Sequence, residues 1–459
     1  MSGRLQAAQL YWRLWGAKTR APALPGDTYR HLRPHDYRSI MPAMNTTHDV
    51  LIIGGGLVGA SLAIALDGAG LRVGLVEAVA ARANHQPSYD ERNLALARAT
   101  VNALAALGVW THVSTRATPI RRILVSRQGE LGAARFEAAR HGVDAFGAVL
   151  PARELGNGLL ARLDACAHLV RHAPATLTAL ETRADTVEAR IRTDAGEKVI
   201  TAPLIVGADG TGSFVRSAVG IETINVDYAQ TAFVTAVTPQ RQLDGCAYER
   251  FTASGPVALL PLADRRAGVV LSVPGSDAAR VSALDDDAFL ALLHERFGWR
   301  LGRLSRPGRR VSYPLQRVQS MRLTAARAVL VGNAAQTLHP IGAQGFNLGL
   351  RDALTLAELL IQRSGGDPGG ADLLDEYARR RHEDRDGTIA MSDGLVRFTA
   401  NEAAPLKLLR SLGLIALDRI PALQAAVVRR GMGFRGHVPQ LALSGADQLA
   451  PRLAAGARQ

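Results

Sequence analysis

The stretch from Val50 to Glu77 constrains the fold more than any other part of the chain. An apolar run (Val50–Ile53) leads into Gly54-Gly-Gly56-Leu-Val-Gly59, a helix is predicted over Leu57–Asp67, and a strand over Arg72–Glu77 ends on a carboxylate. This is one βαβ unit. In such a unit Gly54 permits the tight turn, Gly56 lets a pyrophosphate approach the backbone, and Gly59 allows close helix–strand packing. The helix N-terminus offers unpaired amides and a partial positive charge to phosphates. Glu77 is placed to accept hydrogen bonds from the ribose hydroxyls of an adenosine. GxGxxG alone is a weak signal, but the strand, helix and acid around this one point to dinucleotide binding. A glycine turn with no ligand would leave Glu77 as coincidence.

At 459 residues the chain exceeds what a single hydrophobic core holds, so two or more domains are expected. Its net charge of +13 invites a nucleic-acid reading, yet only Lys18, Lys198 and Lys407 are lysines and the arginines are spread along the whole chain. No dense basic block with interleaved aromatics occurs, so nucleic acid is not an expected partner. Cys166 and Cys246 stand far apart, which gives neither a disulfide framework nor metal-ligand spacing. No metal site is expected. The longest uncharged stretch, Val50–Leu66, is short for a membrane span and carries four glycines. Residues 1–43 hold seven Arg/Lys against two acids and four prolines. They read as a dispensable leader resembling a transit peptide, or as sequence ahead of a true start at Met44.

Further along, helices are predicted around Leu94–Leu107 and Ala152–Ala165, strands at Ile123–Ser126, Thr186–Arg192 and Leu204–Val206, and a β-rich stretch from Thr231 to Val273. A buried strand returns at Ala325–Val331, a helix follows at Gly349–Gln362, and the chain is helical from about Leu373. Two more segments carry chemistry. Leu204-Ile-Val-Gly207-Ala-Asp209-Gly210-Thr-Gly-Ser213 runs from an apolar strand into a turn with a carboxylate, with Arg216 one turn after Ser213. Taken alone, Asp209-Gly210 is an ordinary turn dipeptide. Gly332-Asn333-Ala-Ala-Gln336-Thr-Leu-His339-Pro340-Ile-Gly342-Ala-Gln344-Gly345-Phe-Asn347-Leu-Gly349-Leu-Arg-Asp352 follows a buried strand and opens a helix. No structural need explains so dense a run of Gly, Asn and Gln.

The three segments, in this order and at this separation, resemble the class A flavoprotein monooxygenases. The text around His339 looks most like the UbiH/UbiF/VisC family of ubiquinone-biosynthesis hydroxylases, whose signature reads His-Pro-x-x-Gly-Gln-Gly-x-Asn-x-Gly-x-x-Asp. This chain departs from it at Ala343, where the family has Gly; Gly342 stands beside it as if the two had exchanged. Asn333-Ala-Ala-Gln336 resembles the UbiH branch, and Tyr89-Asp90-Glu-Arg92 resembles the family's Asp-x-Arg element.

The resemblance implies an α/β fold. A Rossmann-type FAD-binding domain (44–118, 151–219 and 311–395) is interleaved with a β-sheet substrate domain (119–150 and 220–310) as in p-hydroxybenzoate hydroxylase, and C-terminal helices follow (396–459). It implies FAD held by Gly54, Gly56, Gly59, Glu77, Arg92, Asp209, Gly210, Gly332, Asn333, Gly342, Gln344, Gly345 and Asn347. Pro340 and the backbone of Gln344–Asn347 border the flavin ring. His339 either accepts a phenolic proton or shapes the loop before Pro340. The implied activity is hydroxylation of the aromatic ring of a polyprenylated phenol with NAD(P)H and O₂, through a C4a-hydroperoxide on the flavin. A flavin halogenase would need a lysine between flavin and substrate, and none of the three lysines stands in a plausible place. A non-catalytic flavin-binding subunit of a quinone-biosynthesis complex is the rival of another class. A cytoplasmic protein is expected, peripheral on the inner face of the plasma membrane. Residues 405–434 are basic and amphipathic, so they either lie on lipid or pack on the FAD domain. Asp285-Asp286-Asp287 reads as a solvated helix start and Arg379-Arg-Arg381-His382 as a solvated face.

Overall fold

The apolar runs of the first βαβ unit and of the two later motifs are buried on both faces, as strands at the centre of a parallel sheet must be. A computed structural model describes residues 46–80, 92–400 and 403–443; the leader, Tyr89 and Asp90 lie outside them. Strands β1 (Val50–Ile53), β2 (Val73–Val76), β3 (Leu204–Gly207) and β4 (Ala328–Leu330) stand side by side in the order β4-β3-β1-β2. They run parallel, and Leu169–His172 continues the sheet beyond β2. Helix α1 (Leu57–Leu66) joins β1 to β2 and is buried from Gly59 onward. A Cβ on Gly59 would lie 1.9 Å from the Gly54 carbonyl oxygen, so only glycine lets α1 sit this close to its strand. Helix α2 (Gln344–Gln362) packs over α1: a Cβ on its Gly349 would meet Gly332 Cα at 2.9 Å and the Val58 side chain at 3.0 Å.

The second sheet runs in the order Gln336–Thr337, Val311–Ser320, Thr223–Pro239, Ala267–Pro274, Val257–Pro261, Cys246–Phe251, Arg122–Arg127, Ala133–Glu137. Helix Asp286–Phe297 covers one face, where Phe289, Leu293 and Phe297 pack on Phe233, Leu259 and Leu271. Asp285 caps that helix by accepting a hydrogen bond from the Ala288 amide (2.8 Å), in agreement with the sequence reading. The opposite face carries Ala247 and Phe251, which pack against Val149 and Ile341 respectively. The chain after β4 links the two sheets, since Gln336–Thr337 pairs with Val318–Gln319.

Four expectations need correction. Val311–Ser320 belongs to the second sheet, paired with Thr223–Val234, and not to the FAD-binding body. Asn93–Ala97 is a strand paired with Gly147–Pro151, and the helix begins only at Arg98; pairing overrides the helical preference of its Ala and Leu. Helix α3 (Ala371–Ala400) buries Arg381 completely, so Arg379–His382 is not a solvated face throughout. The last helices, α4 (Ala404–Arg419) and α5 (Pro421–Gly431), pack on the second sheet and not on the FAD domain: Leu414, Leu417 and Val428 meet Phe136 and Ala134. Arg410 reinforces this contact through Glu130, and Arg135 through Asp418 (3.0 Å).

No single described helix is long and apolar enough to cross a membrane; α4 and α5 are apolar together but bent by 92°. Their inner face is already committed to protein.

Candidate cofactor and substrate site

The three sequence motifs converge at the C-terminal ends of β1, β3 and β4, where ligands of open α/β sheets bind. Gly54, at φ +101°, leaves β1 in the left-handed region and presses on the next motif: a Cβ there would lie 2.5 Å from the Ala208 carbonyl oxygen. The Val331 amide donates to the Gly207 carbonyl (3.0 Å). Arg216, buried, donates to the carbonyls of Ala334 (2.9 Å) and Thr211 (2.8 Å), which ties the second motif to the third. Asp209 shapes its own turn, accepting from Ser213 Oγ (2.5 Å) and the Val215 amide (3.1 Å). Sequence spacing placed Ser213 and Arg216 together but gave no sign of the bridge to Ala334.

The residues present fit a flavin dinucleotide. Helix α1 has no side-chain cap and no acid in its first turn, so its N-terminal amides remain for a phosphate. Among the described residues, a Cβ on Gly56 would meet no atom within 4 Å, and the same holds for Gly210 and Gly345. Glu77 accepts hydrogen bonds from the amides of Gly55 (2.6 Å) and Val79 (2.9 Å), which orients its carboxylate beside the glycine loop. Asn333 is exposed on the turn after β4. Arg92 is exposed too, its guanidinium 5.4 Å from the ring centre of Tyr313 on the second sheet.

The loop from His339 to Asn347 is held from several sides. His339 is buried; its Nδ1 accepts from the Ile341 amide (3.2 Å) and its Nε2 faces Gln230 Oε1 (3.3 Å). That pattern places the proton on Nε2 and leaves no free ring nitrogen. Burial pushes its pKa down to about 4, so the ring is neutral near pH 7. Both ring nitrogens are thus engaged, one by the Ile341 amide of its own loop and one by Gln230 of the second sheet. The Asn347 side chain is also fully used: it accepts from the Ala97 amide (2.8 Å) and Thr100 Oγ1 (2.7 Å) and donates to the carbonyls of Ala95 (2.9 Å) and Ala343 (2.8 Å). Only its backbone remains for a cofactor. Gln344 donates to the Gly342 carbonyl (3.0 Å). Pro340 is exposed at the turn. Both Gly342 (φ +68°) and Ala343 (φ +51°) are left-handed, so the family's glycine is replaced where alanine costs roughly 1 kcal/mol.

Behind this loop lies a buried ionic network that the sequence reading missed. Asp352 on α2 accepts from the Gly332 amide (3.2 Å), Gln336 Nε2 (2.6 Å) and Arg381 Nε (2.7 Å). Arg351 pairs with Asp384 (2.7 Å), and Arg385 reaches Gln336 Oε1 (2.8 Å). The network fixes the turn at Gly332 from behind. Arg351-Asp352 between the leucines and alanines of α2 was the one available signal.

The FAD binding domain family matches residues 47–390, three quarters of the chain. The chain belongs to that family. It is 37% identical over 390 residues to the protein named ubiquinone hydroxylase UbiL of Rhodospirillum rubrum, covering 84% of this chain and 89% of that one. It is 31% identical to the 3-demethoxyubiquinol 3-hydroxylase of Escherichia coli, covering 85% of this chain and all of that protein. The solved structure of p-nitrophenol 4-monooxygenase from Pseudomonas putida has the same fold, with a TM-score of 0.70 at 19% identity over 85% of this chain and 99% of that one. The fold is that of the class A flavin monooxygenases, and the chain is an FAD-dependent monooxygenase.

Proposed function

We propose that this enzyme hydroxylates the aromatic ring of a polyprenylated phenol in ubiquinone biosynthesis, taking electrons from NAD(P)H and one oxygen atom from O₂. The observation that carries this reading is the match, over most of the chain, to relatives named as ubiquinone hydroxylases. When bound, FAD supplies the redox and oxygen chemistry. The protein binds the pyrophosphate on α1, holds the ring side of the site with the neutral His339 loop, and walls off water with an apolar sheet face. Overall, phenol, O₂, NAD(P)H and a proton give the dihydroxylated ring, water and NAD(P)⁺. Of the lysines among the described residues, Lys198 lies on strand Gly196–Ala202 of a separate sheet and Lys407 on α4, and neither belongs to the loop that carries His339. A mixture of enzyme, NAD(P)H and a short-chain prenyl phenol should yield a product one oxygen atom heavier. NAD(P)H consumption with no such product, on any prenyl phenol, would count against the reading.

A long polyprenyl tail keeps the substrate in lipid, and the outer face of α4 and α5 suits a lipid surface. Leu408 is 63% exposed, Leu409 and Leu412 55%, and Ile415, Ile420, Leu423 and Val427 are exposed as well. Lys407, Arg419, Arg429 and Arg430 are exposed beside them. Apolar side chains flanked by cations match an anionic bilayer, with the helices lying in the interface. The protein should float with vesicles containing phosphatidylglycerol, and L408S/L412S/L423S should abolish flotation without loss of flavin. Equal recovery of both proteins in the floating fraction would remove the helix pair as the lipid contact.

A further inference from the structure

On the strand Cys246–Phe251 side chains alternate between the two faces of the second sheet. Tyr248 turns to the helix side and meets Phe297 edge-on, with ring centres 5.7 Å apart. Ala247 and Phe251 point the other way, Ala247 into the cluster with Val149 and Ala95, Phe251 into the cluster with Ile341. Glu249 lies between them on that same face. Its two neighbours on that face pack on Ala95 of strand Asn93–Ala97 and on Ile341 of the loop after Pro340. Its cross-strand neighbours are Val125 and Ala258, both apolar. Among the described residues it forms no ion pair, and none donates it a hydrogen bond.

A carboxyl so placed costs free energy unless something else uses it. Burial alone, with no charge contributing, pushes its pKa up to about 7. Its side chain is only partly covered by the described residues. The charged groups on the elements packed around it are engaged elsewhere. Arg127, in register with Phe251, pairs with Glu130 (2.7 Å), and Asp393 pairs with Arg317 (3.1 Å) and Arg397 (3.3 Å). Arg122 is in register with Cys246 and so belongs to the helix side, and His339 is neutral.

We infer that Glu249 is the catalytic base of the ring hydroxylation, accepting the proton of the substrate's phenolic hydroxyl. The inference rests on the phenol hydroxylation proposed above. In the step, the phenol O–H bond breaks and a Glu249 Oε–H bond forms. The electron pair left on the phenolate oxygen enters the ring and makes its ortho and para carbons nucleophilic toward the incoming oxygen. When the ring regains aromaticity its C–H proton passes to water, and Glu249 returns its own proton to the ring oxygen, which restores the carboxylate. A carboxylate of ordinary acidity is poorly matched to a phenol of pKa about 10, whereas one that titrates near the working pH suits general-base catalysis.

Sequence inspection gave no hint of Glu249, because an acid in a β-strand reads as a solvent-facing residue. The test compares wild type, Glu249→Gln and Glu249→Asp as FAD-loaded enzymes, each on a short-chain prenyl phenol and on its ring-fluorinated analogue, whose hydroxyl is more acidic. In wild type, kcat should rise with pH through about 7 and then level. Glu249→Gln should keep its FAD and its KM within a few-fold, lose roughly 10²-fold in kcat, and lose the limb near neutrality. The fluorinated analogue should recover much of that loss, since it needs the base less. Glu249→Asp should retain a titrating limb and an intermediate rate. If wild type hydroxylates the phenol while Glu249→Gln keeps the limb, or loses rate equally on both substrates, Glu249 is not the base. If wild type hydroxylates neither phenol, the proposed function itself fails and this inference with it.

Discussion

Gly56→Val should give a protein that folds and purifies normally but is colourless. Among the described residues a Cβ at Gly56 meets no atom within 4 Å, so they leave room for the added side chain. The space it enters is the one the cofactor pyrophosphate needs at the start of α1. Two or more displaced charge-assisted hydrogen bonds at roughly 1.5–3 kcal/mol each correspond to at least about a hundredfold loss of affinity. Gly59→Ala makes the contrasting case, because its Cβ would lie 1.9 Å from the Gly54 carbonyl oxygen and α1 could not stay on its strand. Visible absorbance and thermal melting read the two effects separately. Gly56→Val purified with a full complement of FAD would mean that the dinucleotide does not cross this turn.

Arg381→Ala should cost most of the stability of the FAD-binding body. The Arg381 side chain is completely buried, and its guanidinium bridges Asp352 (2.7 Å) and Asp384 (2.7 Å). Burial alone would raise the Asp384 carboxyl; Arg351 and Arg381 outweigh it and hold the group below its usual range. Removing one partner of a buried pair leaves uncompensated charge, at about 3–5 kcal/mol, against a total stability of about 5–15 kcal/mol. Soluble yield and urea midpoint should both fall, and flavin content with them, because Asp352 also braces the Gly332 amide. The double variant R381M/D352N, which removes the charge on both sides, should recover part of the loss. A single variant as stable as wild type in urea would show that the network contributes nothing net.

What the sequence reveals here depends on the scale at which a residue acts. Gly54, Gly56 and Gly59 are legible because their job is set by backbone geometry within a few residues, and Glu77 because a strand length fixes its place. Arg381 was not legible: arginines at helical spacing among acids look the same whether the face meets water or the underside of a turn. Asn93–Ala97 reads Asn-Leu-Ala-Leu-Ala and favours a helix locally, and only its pairing with Gly147–Pro151 makes it a strand. Val311–Ser320 alternates its exposure as an ordinary two-faced strand, and nothing local says which sheet it joins. Asn347 stands out in the sequence as part of a motif, but three of its four side-chain bonds go to the Ala95–Thr100 segment, far away in sequence, which the local sequence does not show. Glu249 follows the same rule: its environment is made by a sheet and a loop that the local sequence does not mention.

The origin of the new ring oxygen tests the central claim most directly. The FAD-loaded enzyme, supplied with NAD(P)H and a short-chain prenyl phenol under ¹⁸O₂ in ordinary water, should give a product whose mass and fragmentation place one ¹⁸O on the aromatic ring. One NAD(P)H should be consumed for each product formed. Ring oxygen derived from water, or NAD(P)H spent on hydrogen peroxide with the phenol unchanged, would contradict the account of this chain as an aromatic hydroxylase.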